Sequence, residues 1–408
     1  MGGDQISRRT FVAKTAAAAA GSAGCATLAA GAAAAGKKQD GPLRVAQIGM
    51  QGHYGDVVRG IPKIKDCRLV AVARSWPEED IEKLRRQPVC TDKTTVYDDY
   101  RKMLDEAKPD VVAVFAPYAS NGKVNIEAAR RGCHVFSEKP IAASMQDLNR
   151  LRAERDKHEV RVTAMLPMRR FPVFVAAHEA VRSGQIGEPV LVSAQKSYKF
   201  GTKRPWYYKH RKDYGGSVPW VSIHAIDFIR YVSGLEYARV TAHHAVKGHE
   251  GYPECEDCGA LLFQMTNGGQ ATLTFDYFRP TKAPSHGDDR LRVVGTKGIV
   301  EIRSTDKQFC ELITNNQAPK QLPLPDSETN MFVDFVESIR TGKPHVLSPD
   351  DPFRATEVAI KGRNCWITRR EDRGHPLKAP ESAAESTIAT RPWVSSPLIK
   401  CRRRPRSG

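Results

Sequence analysis

The sequence predicts an α/β protein, in which a Rossmann-type doubly wound parallel sheet precedes an α+β part built on a large, mostly antiparallel open sheet. Three observations predict it. Between Leu43 and Phe136 short, wholly apolar runs of strand length alternate with helical stretches. Beyond Arg161 the strand-like runs change character and alternate apolar with polar residues. The 408 residues are enough for two domains with buried cores. A strand that is apolar at every position needs cover on both faces, which helices crossing a parallel sheet supply. A strand of period two needs one buried and one open face, the habit of antiparallel sheets.

In chain order, residues 1–41 read as a targeting segment rather than fold. Ser7-Arg8-Arg9-Thr10-Phe11-Val12-Ala13-Lys14 precedes an Ala-rich run and a small-residue zone at Ala33–Ala35. Charged, weakly apolar and A-x-A-like parts in that order make an export signal, and the paired arginines before Phe11 resemble the twin-arginine type. The expected partner is then the twin-arginine translocation machinery and the expected location the periplasm. Cys25 after Ser22-Ala23-Gly24 is a weak lipobox and offers a lipid anchor as a lesser alternative.

Residues 42–160 form the expected nucleotide-binding domain. Leu43–Gly49 is a strand, Asp56–Ile61 a helix, Cys67–Ala73 a strand, Glu78–Arg86 a helix and Asp110–Phe115 a strand. A helix from Asn121 stops at Gly132, and His134–Phe136 is a short strand. Ser144 with Asp147 caps a helix to about Lys157. Residues 161–376 form the second domain, with a helix over Pro172–Gly184 and alternating strands at Gln270–Phe278 and Arg290–Val294. Residues 377–408, rich in Pro, Ser, Thr and Arg, read as a disordered basic tail.

Composition excludes several classes. The 40% apolar and 27% charged residues are those of a folded globular protein, and no run approaches the length of a membrane-spanning helix. The formal charge of +17 is fed partly by Arg and Lys at the two ends, and no nucleic-acid reading module lies between them, so no nucleic-acid partner is expected. Setting aside Cys25 and Cys401, the nine cysteines leave seven, an odd number without framework spacing. In the periplasm one incidental pair, such as Cys255 with Cys258, is conceivable. With His243, His244 and His249 they do not reach a zinc pattern, and no metal is expected.

The chemistry begins at Gly49-x-x-Gly52-x-x-Gly55. Glycines between a strand and a helix let the backbone approach a pyrophosphate, although a plain tight turn uses them too. Gln51 and Tyr54 stand where two further glycines are usual. At the end of the second strand Arg74 and Ser75 offer a cation and a hydroxyl, with no acid before Glu78. That suits the 2'-phosphate of NADP over NAD, unless Arg74 is only a solvated surface residue.

The segment Ala116–Pro140, ending in Glu138-Lys139-Pro140, resembles the family named after glucose-fructose oxidoreductase, inositol dehydrogenase and a rhizopine catabolism protein. Arg169–Pro172, Ser183–Pro189, Arg204–Trp206, Gly215–Ser217, His224-Ala-Ile-Asp227 and Val294–Gly298 continue the likeness over about residues 43–376. The resemblance implies catalysis by Lys139 and by His224 as general acid/base, with a cis bond before Pro140. It implies a cofactor against Gly49, Gln51, Gly52, His53, Arg74, Ser75, Ala116, Pro117, Asn121, Glu138 and Lys139. Substrate would meet Arg170, Tyr198, Trp206, Trp220 and Asp227, with Lys196, Arg204, Tyr207 and His286 as further candidates; aromatic rings beside polar donors suit a small carbohydrate. Family dehydrogenases carry Asp four residues before the catalytic His, where this chain has Trp220. An indole neither accepts a proton nor balances Lys139. Three readings stay open: an exported NAD(P)-dependent sugar or polyol oxidoreductase, a binding protein of the same fold, and a redox-neutral NAD-using, glycosidase-like enzyme. The family also implies a homodimer or homotetramer, formed over the open sheet face on which Leu273, Phe275 and Tyr277 are expected.

Overall fold

The computed structural model describes residues 41–326 and 330–371. Strands β1 (Leu43–Gly49), β2 (Cys67–Ala73), β3 (Thr95–Tyr97), β4 (Val111–Phe115), β5 (His134–Ser137) and β6 (Val162–Ala164) make one sheet, ordered β3-β2-β1-β4-β5-β6. Every pair in it is parallel. All five residues of β4 are buried, as are six of seven in β1, which is why these strands spell continuous apolar runs. The strand order reverses between β1 and β4, so the loops leaving their C-terminal ends part and open a crevice.

The helices of this half are α1 (Gly55–Gly60), α2 (Glu82–Arg85), α3 (Tyr100–Ala107), α4 (Asn121–Arg130) and α5 (Met145–His158). The Asp147 backbone N–H donates to Ser144 Oγ at 3.1 Å, the cap expected from the sequence. Helix α2 is one turn, shorter than the Glu78–Arg86 expectation, because Glu79 turns inward to serve the β2 loop. Strand β3 and helix α3 have no counterpart in the sequence reading; β3 is a three-residue, largely exposed edge strand with no apolar run to mark it. Strand β6 lies just beyond residue 160 and still joins the first sheet.

The second sheet contains β7 (Pro189–Tyr198), β8 (Tyr237–Ala245), β9 (Cys258–Met265), β10 (Gln270–Asp276), β11 (Gly287–Gly295), β12 (Gly298–Ser304), β13 (Gln308–Thr314) and β14 (Gln317–Gln321). Its order is β14-β13-β12-β11-β7-β10-β9-β8, antiparallel throughout except for β7 with β10. Helix α6 (Pro172–Arg182) packs on β12 and β13, and α8 (Ile223–Ser233), which follows the short α7 (Arg211–Tyr214), packs on β7 and β11. The period-two alternation is present, but it assigns the faces differently from the expectation. Leu273, Phe275 and Tyr277 are buried within the chain itself, whereas Leu262 is 52% exposed on the other face. A second subunit is therefore not needed to cover those three residues. Helix α9 (Met331–Thr341) returns to the first half, where the Phe332 N–H donates to Asp56 Oδ2 at 3.1 Å; α10 (Asp351–Glu371) follows. The expected signal segment and tail lie outside the described residues.

Two buried histidines are expected to make the fold acid-sensitive. His134 Nδ1 accepts from the Arg161 N–H at 2.9 Å, and His345 Nδ1 accepts from the Leu347 N–H at 3.2 Å, so both rings are used unprotonated. Burial holds each pKa down to about 4. The folded chain then refuses protons that the unfolded chain takes up below about pH 6.5, and stability falls as pH drops from about 6.5 toward 4. Each ring costs about 3 kcal/mol at the acid limit. Urea unfolding at pH 7 and pH 5 should show this loss, and His134→Asn should show less of it than the parent.

Candidate active site

The crevice at the strand-order reversal is lined by three loops, and the first is the glycine turn. Gly49 has φ +72°, and a Cβ on it would lie 2.4 Å from the Phe115 carbonyl oxygen. Gly52 has φ +67°, and a Cβ there would lie 2.2 Å from Glu138 Oε2. Neither position admits a side chain. The Glu138 carboxylate is buried and accepts from the His53 N–H at 2.7 Å and the Lys139 N–H at 3.0 Å, and pairs with His53 Nδ1 at 2.8 Å. Burial pushes its pKa up, but His53 and then Lys139 outweigh this and hold it below the usual carboxylate range. Asn121, at the start of α4, accepts from the Ala116 N–H at 3.2 Å and donates to the Glu138 and Pro140 carbonyls at 3.2 and 3.3 Å. It thereby ties the Ala116-Pro117 end of β4 to the loop after β5, in which the Lys139-Pro140 bond is cis.

The second loop holds a residue the sequence reading missed. Glu79 is buried beneath the glycine turn, and its Oε1 accepts from the Met50 N–H at 3.2 Å and from Gln51 Nε2 at 2.9 Å. Its Oε2 accepts from both the N–H and the Oγ of Ser75 at 2.7 Å. Arg74 donates through Nε to Asp98 at 2.9 Å and through Nη1 to the Glu79 carbonyl. The expected phosphate readers are thus already engaged, Ser75 by an acid and Arg74 by an acid and a carbonyl. The weak signal was an acid one residue past Glu78, whose direction only the turn Trp76–Glu79 decides. With two side-chain-free glycines at the crevice and an acid at the β2 end, the residues present fit a dinucleotide.

The third group lies between the two sheets. Lys139 is 1% exposed, and its Nζ donates to the Trp220 carbonyl at 2.7 Å and sits 3.0 Å from the centroid of that indole. Trp220 occupies a π-helical turn, Val218–Ser222, that opens α8, a form in which an inserted residue re-aims side chains. Its ring stacks on Tyr118 with centroids 3.3 Å apart and 10° between planes. Burial drives the Lys139 pKa well below the lysine range; Glu138 opposes this, while Lys196 and Arg204 reinforce it. His224, the second residue of α8, is buried with Nδ1 unpartnered. Burial, then the charges of Lys139, Lys196 and His53, push its pKa well down, which favours the neutral ring.

The expected substrate residues divide. Tyr198 stands with Lys196 on the inner face of β7 and stacks on His286 at 4.8 Å; Lys196 Nζ pairs with Asp289 at 2.6 Å. Trp206 is 48% exposed and meets Trp76 edge-on at 6.0 Å across the crevice mouth. Asp227 is not a substrate residue: its buried carboxylate receives Arg169 Nη2 at 2.7 Å and Nε at 2.9 Å, while Arg169 Nη1 reaches Asp351 at 2.8 Å. Arg170 is turned away as well, into an ion pair with Asp334 on α9. Cys255 and Cys258 are free thiols.

Known proteins resemble this arrangement along most of the chain. Residues 43–165 match the model described as "Oxidoreductase family, NAD-binding Rossmann fold", and residues 174–301 match the "GFO/IDH/MocA C-terminal domain". The scyllo-inositol 2-dehydrogenase (NAD(+)) of Bacillus subtilis is 26% identical over 280 residues, 66% of this chain and 79% of that enzyme. The D-glucoside 3-dehydrogenase of Escherichia coli is 30% identical over 211 residues, half of this chain and 57% of that enzyme. A solved Thermotoga maritima structure, described as that of a candidate oxidoreductase, is 36% identical with a TM-score of 0.75, covering 80% of this chain and 98% of its own. With both halves matched and this structure aligned over nearly its whole length, the chain belongs to the GFO/IDH/MocA family of oxidoreductases, with an NAD-binding Rossmann domain.

Proposed function

We propose that the protein exchanges hydride between a nicotinamide cofactor and a hydroxyl-bearing carbon of a sugar or polyol. The observation that carries this reading is that Lys139 and His224 are both buried beside the crevice that the glycine turn opens, near enough for the charge of one to bear on the other. The names of the inositol and glucoside dehydrogenases among its relatives support the substrate class. When bound, the nicotinamide ring supplies the hydride acceptor. His224, neutral and with Nδ1 unpartnered, takes the proton of the reacting hydroxyl. Lys139 holds the same oxygen, and the Trp220–Tyr118 stack keeps water from it. In the reverse direction His224 returns that one proton to the carbonyl oxygen as hydride arrives at the carbon.

For the cofactor we favour NAD over the NADP suggested by Arg74 and Ser75. A 2'-phosphate at the end of β2 would bring a like charge toward the buried Glu79 carboxylate, whereas a free ribose hydroxyl would not. Export through the twin-arginine route, with Arg8 and Arg9 as the reading pair, and assembly into a homodimer or homotetramer belong to the same proposal.

The test is direct titration of the purified protein with NAD and with NADP, followed by NADH formation on inositols and glucosides. NAD should bind tighter by about tenfold or more, the ~1.4 kcal/mol within reach of one screened repulsion between like charges. Glu79→Gln should narrow that gap. Preference for NADP would overturn the cofactor assignment alone; no response to either nucleotide, with no turnover, would overturn the function.

A further inference from the structure

Arg204 is built into the wall of this site without a counter-charge. One tyrosine hydroxyl pins its backbone on both sides: the Arg204 N–H donates to Tyr252 Oη at 2.9 Å, and the same hydroxyl donates to the Arg204 carbonyl at 3.1 Å. The guanidinium lies 5.0 to 5.3 Å from the ring centroids of Phe200, Tyr208 and Tyr277, with Nη2 held by the Lys199 carbonyl at 2.9 Å. Nε is buried and has no partner. No ion pair among the described residues includes Arg204.

The neighbouring carboxylates are already committed. Glu138 serves His53 and the Lys139 N–H, and Asp289 serves Lys196. Lys199 reaches only the Ala283 carbonyl. Trp220 covers Lys139 with an indole and adds no negative charge. Lys196 is matched by Asp289, whereas Lys199 and Arg204 enter no ion pair among the described residues, an imbalance that a neutral ligand would leave standing. A fixed, weakly hydrated guanidinium with an unused N–H among aromatic rings is suited to a carboxylate or phosphate.

We propose that the substrate is an anionic monosaccharide whose acid group is held by Arg204, while a ring hydroxyl reaches Lys139 and His224. This rests on the reading of the site as a sugar or polyol oxidoreductase and narrows it. A carboxylated sugar and a sugar phosphate share the chemistry, and the measurement separates them.

Isothermal titration of the NAD-loaded protein would compare glucuronate, glucose 6-phosphate and glucose as probes. One or both anions should bind at least about tenfold tighter than glucose, and added salt should weaken them selectively. Arg204→Met, which keeps the stem on the aromatic rings, should remove the difference, and Arg204→Lys should restore part of it. If Arg204→Met does not fold, the Lys variant and the salt dependence carry the comparison. Tighter binding of glucuronate identifies a carboxylate, and of glucose 6-phosphate a phosphate. Equal binding of all three, no heat from any, or a preference that survives Arg204→Met overturns the proposal. Turnover of a neutral polyol with NAD, without any preference for anions, would overturn this inference and leave the proposed function intact.

Discussion

Lys139→Met is expected to lower kcat by about 10³-fold, within the 10²–10⁴ that a positioned proton-transfer group contributes, while NAD affinity changes only a few-fold. The reason is geometric. The amine lies under the Trp220 indole and donates to the Trp220 carbonyl, its one hydrogen-bond acceptor among the described residues, so its remaining hydrogen-bonding capacity can serve a ligand brought to that spot. Folding should survive the change, because a buried amine is costly to desolvate and Met replaces its stem with apolar volume. His224→Gln should produce a loss of similar order, and the two together less than the product of the separate losses, since both groups act on one oxygen. Steady-state kinetics beside a thermal melt would check this. Turnover within tenfold of the parent for Lys139→Met would remove Lys139 from the chemistry.

Asp227→Ala should cost about 3–5 kcal/mol of stability, the usual price of stranding a buried partner charge. Arg169 would lose two charge-assisted bonds and keep only Asp351, which is itself shared with Arg230 at 3.0 Å. Replacing both members, Arg169→Met with Asp227→Leu, should recover much of the loss, because no uncompensated charge then remains. Urea unfolding of the two variants measures it. A loss confined to activity, with stability unchanged, would return Asp227 to the substrate site.

The parallel sheet was legible because a strand covered on both faces writes that fact into every one of its residues, as β1 and β4 do. The glycine turn was legible for a similar local reason: φ values of +72° and +67° exclude most side chains whatever surrounds them. Lys139 and His224 are candidates through the motifs around them, and Trp220 could be read as an indole where an acid is usual. Partnership was not legible. His224 and Asp227 are three residues apart, yet His224 keeps a buried Nδ1 without a partner while Asp227 meets Arg169, 58 residues distant. The alternation in β10 showed that one face is buried without showing which.

Local conformation and covering pattern are properties a short stretch of chain carries by itself, and these the amino-acid sequence determined: the two sheets, the turn and the capped helix. Tertiary structure decided whatever depends on which distant segments meet. It put Glu79 under the glycine turn and on Ser75, laid Trp220 over Lys139 against Tyr118, and left Arg204 among aromatic rings with no acid beside it. Each depends on a contact between loops from different strands, and the energy of a buried charge is set by its neighbours in space rather than by those in the chain.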